Sequence, residues 1–202
     1  MILMVNGSFR GKDGHTQFYL EKIRETVKDS EIIWIRDIFK DGVANFAEQL
    51  KSADALVIGA PLYVDGLPAQ VVKLLEDLLA EYKSCFQGLP VYVVSNLGFY
   101  EAKQIKHLLD MVRNWCGKMG CIYGGGLAVG AGPLVGAIAN VSALKWAYKD
   151  VEKGVETLSK TILERESMEN YYTETKIPRW LYFKIANQSF ENAIKKNGVE
   201  AR

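Results

Sequence analysis

From Gly7 to Thr16 the chain reads Gly-Ser-Phe-Arg-Gly-Lys-Asp-Gly-His-Thr, and these residue types suit the holding of an anion. Ser8 and Thr16 offer hydroxyl donors, Gly11 and Gly14 let backbone N–H groups turn inward, and Arg10 adds a formal positive charge. A helix predicted to begin at about Thr16 aims its partial positive end at the same place, which makes the segment a cradle for a phosphate group. Two nucleotide fingerprints fail here. A P-loop needs four residues between its first Gly and a Gly-Lys-Ser/Thr, whereas Gly7 and Gly11 have three between them and Lys12 precedes Asp13. The Gly-x-Gly-x-x-Gly spacing of dinucleotide sites also fails. On spacing alone Ser8 and Thr16 also read as a turn residue and a helix cap, and Arg10 and Lys12 as solvated loop charges.

Two later segments could border a flat ring. One runs Ala60-Pro61-Leu62-Tyr63-Val64-Asp65-Gly66-Leu67-Pro68, the other Ser95-Asn96-Leu97-Gly98-Phe99-Tyr100-Glu101. Both mix apolar or aromatic side chains with glycine and polar groups, so they offer an apolar edge and backbone groups for ring heteroatoms. Tyr63 reads equally as a packed loop aromatic. A run from Gly130 to Gly136 approaches the dinucleotide pattern, but it is one residue too long and no strand with a terminal acid follows, so it reads as a tight turn. Cys85, Cys116 and Cys121, with two histidines in the chain, supply too few ligands for a metal site and read as reduced thiols.

These segments need elements to position them. Apolar runs predict strands at Ile2–Asn6, Glu31–Arg36, Ala55–Ala60, Val91–Asn96 and within Ile122–Val129. Helical spacing of apolar residues follows the strands: Phe18, Ile23 and Val27; a short helix near Val43–Lys51; Val71, Leu75 and Leu78; Leu108, Val112 and Trp115; and a helix from about Leu134 to Glu164. Five βα units in this order predict a doubly wound, five-stranded parallel sheet of order 2-1-3-4-5. In such sheets ligands bind beyond the carboxyl ends of the strands, where the three segments above lie; flavodoxin is a standing example of this rule. Ser167–Lys176 is polar and reads as a linker, and Pro178 opens a C-terminal helix carrying Trp180, Phe183, Phe190 and Ile194. The expected division is a domain over 1–165 and an appendage over 166–202 that packs on the domain or on a partner subunit, because its apolar surface is too large to leave in water.

The charge balance, 25 Lys plus Arg against 24 Asp plus Glu, gives no reason to expect a nucleic acid or a membrane surface as partner. The apolar opening Met1–Val5 is too short for a signal-peptide core or a membrane span, so a cytoplasmic location is expected.

The pattern Gly7-Ser8-x-Arg10-x-x-x-Gly14-x-Thr16 resembles the flavin phosphate loop of NADPH-dependent FMN reductases in the flavodoxin-like superfamily. Pro61-x-Tyr63 followed by Pro68-Ala69 resembles that family's second flavin loop, and Gly98-Phe99 is similar to its third. The resemblance covers about residues 1–165. It implies non-covalent FMN, NAD(P)H as electron donor and a small acceptor such as a quinone or flavin. It also implies that Ser8, Arg10, Gly14, His15 and Thr16 hold the phosphate. Pro61, Leu62, Tyr63 and Val64 would lie along the isoalloxazine, with Asn96, Gly98 and Phe99 near its other edge. Phe9 stands where the family often has Pro, and His15 where it often has Asn; His15 can still donate a hydrogen bond, with a charge that depends on pH. The flavin carries the hydride chemistry, so no catalytic acid or base is named. Family members commonly form homodimers or homotetramers. The competing readings are a flavodoxin-type electron carrier without its own substrate site, and a non-enzymatic module on the same fold.

Overall fold

A computed structural model describes residues 1–139 and 141–198. Position 140, inside the helix expected from Leu134, and positions 199–202 of the appendage lie outside the described residues. The strands are β1 (Ile2–Asn6), β2 (Ser30–Trp34), β3 (Ala55–Pro61), β4 (Pro90–Asn96), β5 (Ile122–Val129) and β6 (Tyr171–Thr173). The helices are α1 (His15–Thr26), α2 (Ile35–Asp41), α3 (Val43–Lys51), α4 (Ala69–Tyr82), α5 (Lys106–Met119), α6 (Gly132–Ile138), α7 (Lys145–Glu164) and α8 (Arg179–Lys196).

Among the described residues the sheet has six strands in the order β2-β1-β3-β4-β5-β6, all parallel, so the expected five-stranded sheet is corrected by one strand. The added strand lies in the polar segment read as a linker. Tyr171, Tyr172 and Thr173 pair with Leu127, Ala128 and Val129. Three residues are too few to show a period, yet tyrosine and threonine favour strands, and this short piece covers the outer edge of β5. Gly154 on α7 makes room for it, since a Cβ there would lie 2.7 Å from Leu127 and 3.1 Å from Tyr171.

Two further boundaries differ from the sequence reading. Ile35 and Arg36 leave the second strand and open α2, where Ile35 and Ile38, one helical turn apart, are both buried. The long helix expected from Leu134 is divided into α6 and α7, with a 3-10 turn at Ser142–Leu144 ahead of α7.

Along each central strand alternate residues face opposite sides. Leu3 and Val5, Leu56 and Ile58, Val91 and Val93 meet α2 to α5, while Ile2 and Met4, Ala55 and Val57, Tyr92 and Val94 meet α1 and α7. Both faces are covered, which is why these strands read as unbroken apolar runs. β1 lies between β2 and β3, so the chain leaves it in one direction for β2 and later returns on the other side for β3. The reversal opens a crevice at the carboxyl ends of β1 and β3.

Candidate functional site

The loop after β1 is built from the backbone outward. Gly7 donates its N–H to the Gly59 carbonyl at 2.7 Å, and a Cβ on Gly7 would strike Val71 at 2.4 Å, so the chain passes β3 as closely as glycine allows. Asn6, the last residue of β1, organises the turn. Its Oδ1 accepts the Ser8 N–H at 2.9 Å, and its Nδ2 donates to the Gly11 carbonyl at 3.2 Å and to Gln17 Oε1 at 2.8 Å. Trp34 Nε1, at the end of β2, donates to the Ser8 carbonyl at 2.8 Å. The Trp34 ring fills the space where a Gly11 side chain would stand, and Gly11 sits at φ +52°, a conformation open to glycine.

Ser8 and Thr16 are both buried. Ser8 Oγ accepts the Arg10 N–H at 3.3 Å and keeps its own proton to give. A Cβ at Gly14 would come within 2.8 Å of that oxygen, so the space beside the hydroxyl exists because residue 14 has no side chain. Gly14 is also the residue capping α1, and no side chain caps the helix there. The N–H groups of His15 and Thr16 have no acceptor within the helix, while that of Gln17 donates to the Gly14 carbonyl at 3.1 Å. Buried hydroxyl, open space and uncapped helix start together fit an oxyanion group of phosphate size. Arg10 is exposed at the rim of the loop.

His15, the first residue of α1, is half-buried. A Cβ on Gly136 of α6 would lie 3.2 Å from its Nδ1, so the ring rests against the small-residue face of α6. Burial lowers its pKa below the ordinary 6.5, and the nearby Arg10 charge acts in the same direction. The neutral imidazole is therefore favoured in the chain without a bound anion.

Asn96, at the end of β4, joins the three loops. Its side-chain oxygen accepts the Thr16 hydroxyl at 3.2 Å, and its backbone carbonyl accepts the Leu62 N–H at 2.9 Å. In this arrangement the Thr16 proton points at Asn96, which leaves Ser8 as the hydroxyl free to donate into the loop. The loop after β3 folds back as a tight two-residue hairpin, with Tyr63 and Gly66 exchanging backbone hydrogen bonds at 3.0 Å. Val64 and Asp65 at its tip have φ +47° and +61°. Positive φ at both central positions defines a type I′ turn, which ordinarily takes Asn and Gly. Pro61 and Leu62 are half-buried, Tyr63 is exposed, and Val64 is fully exposed. Gly98 and Phe99 are exposed on the loop after β4, and a Cβ at Gly98 would meet nothing within 4 Å.

The Gly130–Gly136 run belongs to the framework. The N–H groups of Gly130, Ala131 and Gly132 donate to the carbonyls of Thr173, Phe99 and Leu97 at 2.9, 2.6 and 2.9 Å. A Cβ on Gly130 would collide with the Tyr100 carbonyl at 2.0 Å. These glycines let two backbones touch, and their donors are spent on the protein.

Sequence reasoning missed a second set of residues, from the C-terminal segment. The Tyr182 hydroxyl donates to the Gly98 carbonyl. The Tyr100 hydroxyl donates to the Ile177 carbonyl at 2.9 Å, Glu174 Oε1 accepts the Ala102 N–H at 2.8 Å, and Arg179 Nε meets Glu101 Oε1 at 2.7 Å. The loop after β4 is thus held from one side by the sheet and from the other by residues 174–182. Only Tyr100 and Glu101, polar groups in an apolar stretch, hinted at this in the sequence.

The family model for NADPH-dependent FMN reductase matches residues 1–133. The chain belongs to this family. All three loops just described lie inside the matched part, while the C-terminal clamp on the third lies outside it. No curated protein matches the chain. Solved structures extend the likeness past the matched region. An NADPH-quinone reductase from P. pentosaceus superposes with a TM-score of 0.58 at 14% identity, covering 79% of this chain and 94% of its own. An azoreductase from Bacillus anthracis str. Sterne gives 0.53 at 14%, covering 81% and 98%. The general stress protein 14 of Treponema denticola, solved in complex with FMN, gives 0.53 at 12%, covering 81% and 95%. At these identities the likeness is one of fold, the flavodoxin-like α/β fold. Among the described residues no group of side chains is arranged to hold a metal ion, and no helix is long and apolar enough to cross a membrane.

Proposed function

We propose that this FMN reductase family member binds FMN in the crevice between the loops after β1, β3 and β4. In this reading it passes an electron pair from NAD(P)H to a small acceptor such as a quinone or free flavin. The observation that carries the reading is the loop after β1, where the buried Ser8 hydroxyl, the side-chain-free Gly14 and the uncapped start of α1 converge. When bound, the flavin supplies the hydride chemistry. The chain's own residues bind and orient it. Ser8 and the first N–H groups of α1 hold the phosphate, with Arg10 at the rim, His15 beside the helix start, and Thr16 tying the helix to Asn96. Pro61, Leu62, Tyr63 and Val64 line one edge of the ring, and Asn96, Gly98 and Phe99 the other.

The exposed rim at Tyr63, Val64 and Phe99 is mainly aromatic and apolar, with the exposed acid Asp65 at the hairpin tip. That character suits a flat organic acceptor stacking on the flavin better than the acidic docking face of an electron carrier. Residues 1–165 supply the cofactor site in this reading, and 166–202 brace it. A chain of this kind works in the cytoplasm, where reduced nicotinamides are available.

The test uses the purified protein loaded with FMN. Steady-state oxidation of NADH and NADPH is followed with benzoquinone or free flavin as acceptor. Turnover dependent on both acceptor and bound FMN is expected. Reduction only by a partner redox protein, with no NAD(P)H oxidation, would instead identify an electron carrier. Absence of any FMN-dependent absorbance would remove the cofactor reading.

A further inference from the structure

The last helix is unlike the others. Its first turn is anchored: Tyr182 is buried, and Leu181 packs with Ile177 against Ile138 and Ala147. Beyond it, from Phe183 to Lys196, every residue is exposed except the half-buried Ala186 and Ile194. Its 18 residues span about 27 Å, and more than half of that length has no covering layer. A single helix of this length is marginal in water, and most helices are held by packing of one apolar face. Phe190 is 70% exposed and Trp180 68%.

The exposed residues are ordered. Phe183, Ala186, Phe190 and Ala193 follow one another at intervals of three, four and three, the spacing of a coiled-coil seam. Large and small alternate along it. In a parallel pair of identical helices each layer would set Phe against Phe and Ala against Ala. In an antiparallel pair related by a two-fold axis, Phe183 meets the partner's Ala193, and Ala186 meets the partner's Phe190. Every layer then matches a large side chain to a small one, the arrangement that fills a seam without voids.

The flanking positions agree with the same geometry. On one side of the seam the two copies of Asn187 meet at the axis, and Trp180 faces the partner's Ile194. On the other side the two copies of Ser189 meet, and the partner's Lys196 lies beside the first turn, where Tyr182 is already buried within its own copy. Neither flank sets like charges against each other, although α8 carries Arg179, Lys184, Lys195 and Lys196 against a single acid, Glu191. Lys184 and Lys195 fall away from the seam. The pairing also covers Trp180 and Phe190 together, which nothing among the described residues of one copy does.

We propose that α8 is the interface through which two copies of this chain associate, as an antiparallel, two-fold symmetric helix pair. The last turn of the partner's α8 then lies along the first turn of α8, next to Tyr182, which holds the Gly98 carbonyl on the loop after β4. Association therefore braces the same loop from outside. The proposal does not depend on which cofactor the crevice takes.

The test is the mass of the full chain in solution by light scattering, combined with cysteine trapping. Phe190→Glu and Ala193→Glu place a charge on an exposed seam, so the domain should keep its fold and melting transition while its mass falls by half. In a Cys85→Ser background, chosen because Cys85 is exposed, Ser189→Cys should cross-link to itself under mild oxidation and Ala193→Cys should not. A wild-type chain that is monomeric, an assembly that survives both charge variants, or trapping at 193 in place of 189 would each overturn the proposal.

Discussion

Ser8 is the residue on which the phosphate reading turns, because its proton is uncommitted while that of Thr16 is given to Asn96. A hydrogen bond to a charged group contributes roughly 1.5–3 kcal/mol. Ser8→Ala should therefore weaken FMN binding by about tenfold to a hundredfold, at about 1.4 kcal/mol per decade. Riboflavin, which has no phosphate, should bind the two proteins alike. Thr16→Ala should cost FMN affinity too, and it should also disturb the loop after β4 through the lost Asn96 contact. Paired titrations with FMN and riboflavin check this, and equal FMN affinity in wild type and Ser8→Ala would mean the anion sits elsewhere. His15 adds a pH dependence whose sign follows from its depressed pKa. With the folded pKa below 6.5, the neutral ring contributes stability that is present above pH 6.5 and is lost as pH falls through the folded value. A bound phosphate opposes that loss by favouring the imidazolium, so FMN binding at about pH 6 should take up more protons in wild type than in His15→Gln. Calorimetric titration in two buffers of different ionisation enthalpy measures the difference, and identical proton uptake in both proteins would separate His15 from the cradle.

Among the elements, the hairpin after β3 carries the clearest local cost. Val64 is β-branched, sits at φ +47° and is fully exposed, so nothing is gained by its burial. A non-glycine residue in the left-handed region costs about 1–2 kcal/mol, part of which glycine gives back through its freer unfolded chain. Val64→Gly should stabilise the protein by roughly 0.5–1 kcal/mol, a rise of a few degrees in Tm. A thermal melt tests it, and a drop in Tm would mean the turn is not strained by its side chain. If the same variant loses acceptor turnover, Val64 is kept for the ring edge. The sequence pattern announced the hairpin segment but not the turn, because Val-Asp is not a type I′ signal. It announced five strands because β1, β3, β4 and most of β5 are apolar runs buried on both faces, and because β2, only half-buried, still carries Ile32, Ile33 and Trp34 in succession. β6 escaped notice because three residues among polar neighbours have no period. Ser8, Gly14 and Thr16 were legible through loop chemistry near a helix start, whereas Asn6, Trp34 and Tyr182 act through contacts between segments distant in sequence, which no local pattern encodes.

At the scale of the whole molecule the C-terminal segment has two separable tasks. β6 closes the β5 edge of the sheet, while α8 reaches outward from the loop after β4. Upstream of β6, the Tyr92 hydroxyl donates to the Glu166 carbonyl at 2.8 Å, and the Met168 N–H donates to the Gly124 carbonyl at 3.0 Å. Thr173 then accepts the Gly130 N–H, and Glu174 accepts the Ala102 N–H, so this segment supports the framework on which the loops after β4 and β5 are built. Ending the chain after Pro178 should therefore leave the sheet intact. It removes the Tyr182 contact and the exposed seam, so the expected outcome is a folded, FMN-binding protein of lower mass with a small change in Tm. Ending the chain after Glu166 should be much more damaging. It bares the backbone of Leu127 to Val129 along a flat apolar edge, an invitation to edge-to-edge association. It also forfeits several backbone hydrogen bonds at about 1 kcal/mol each. At about 2–4 °C per kcal/mol for a domain of this size, the longer truncation should lower Tm by roughly ten degrees more than the shorter one, with visible aggregation. Thermal melts and light scattering on the two truncated proteins decide the matter. If both melt together, β6 contributes nothing to the sheet; if the shorter truncation already unfolds the protein, α8 is part of the core and not an outward arm.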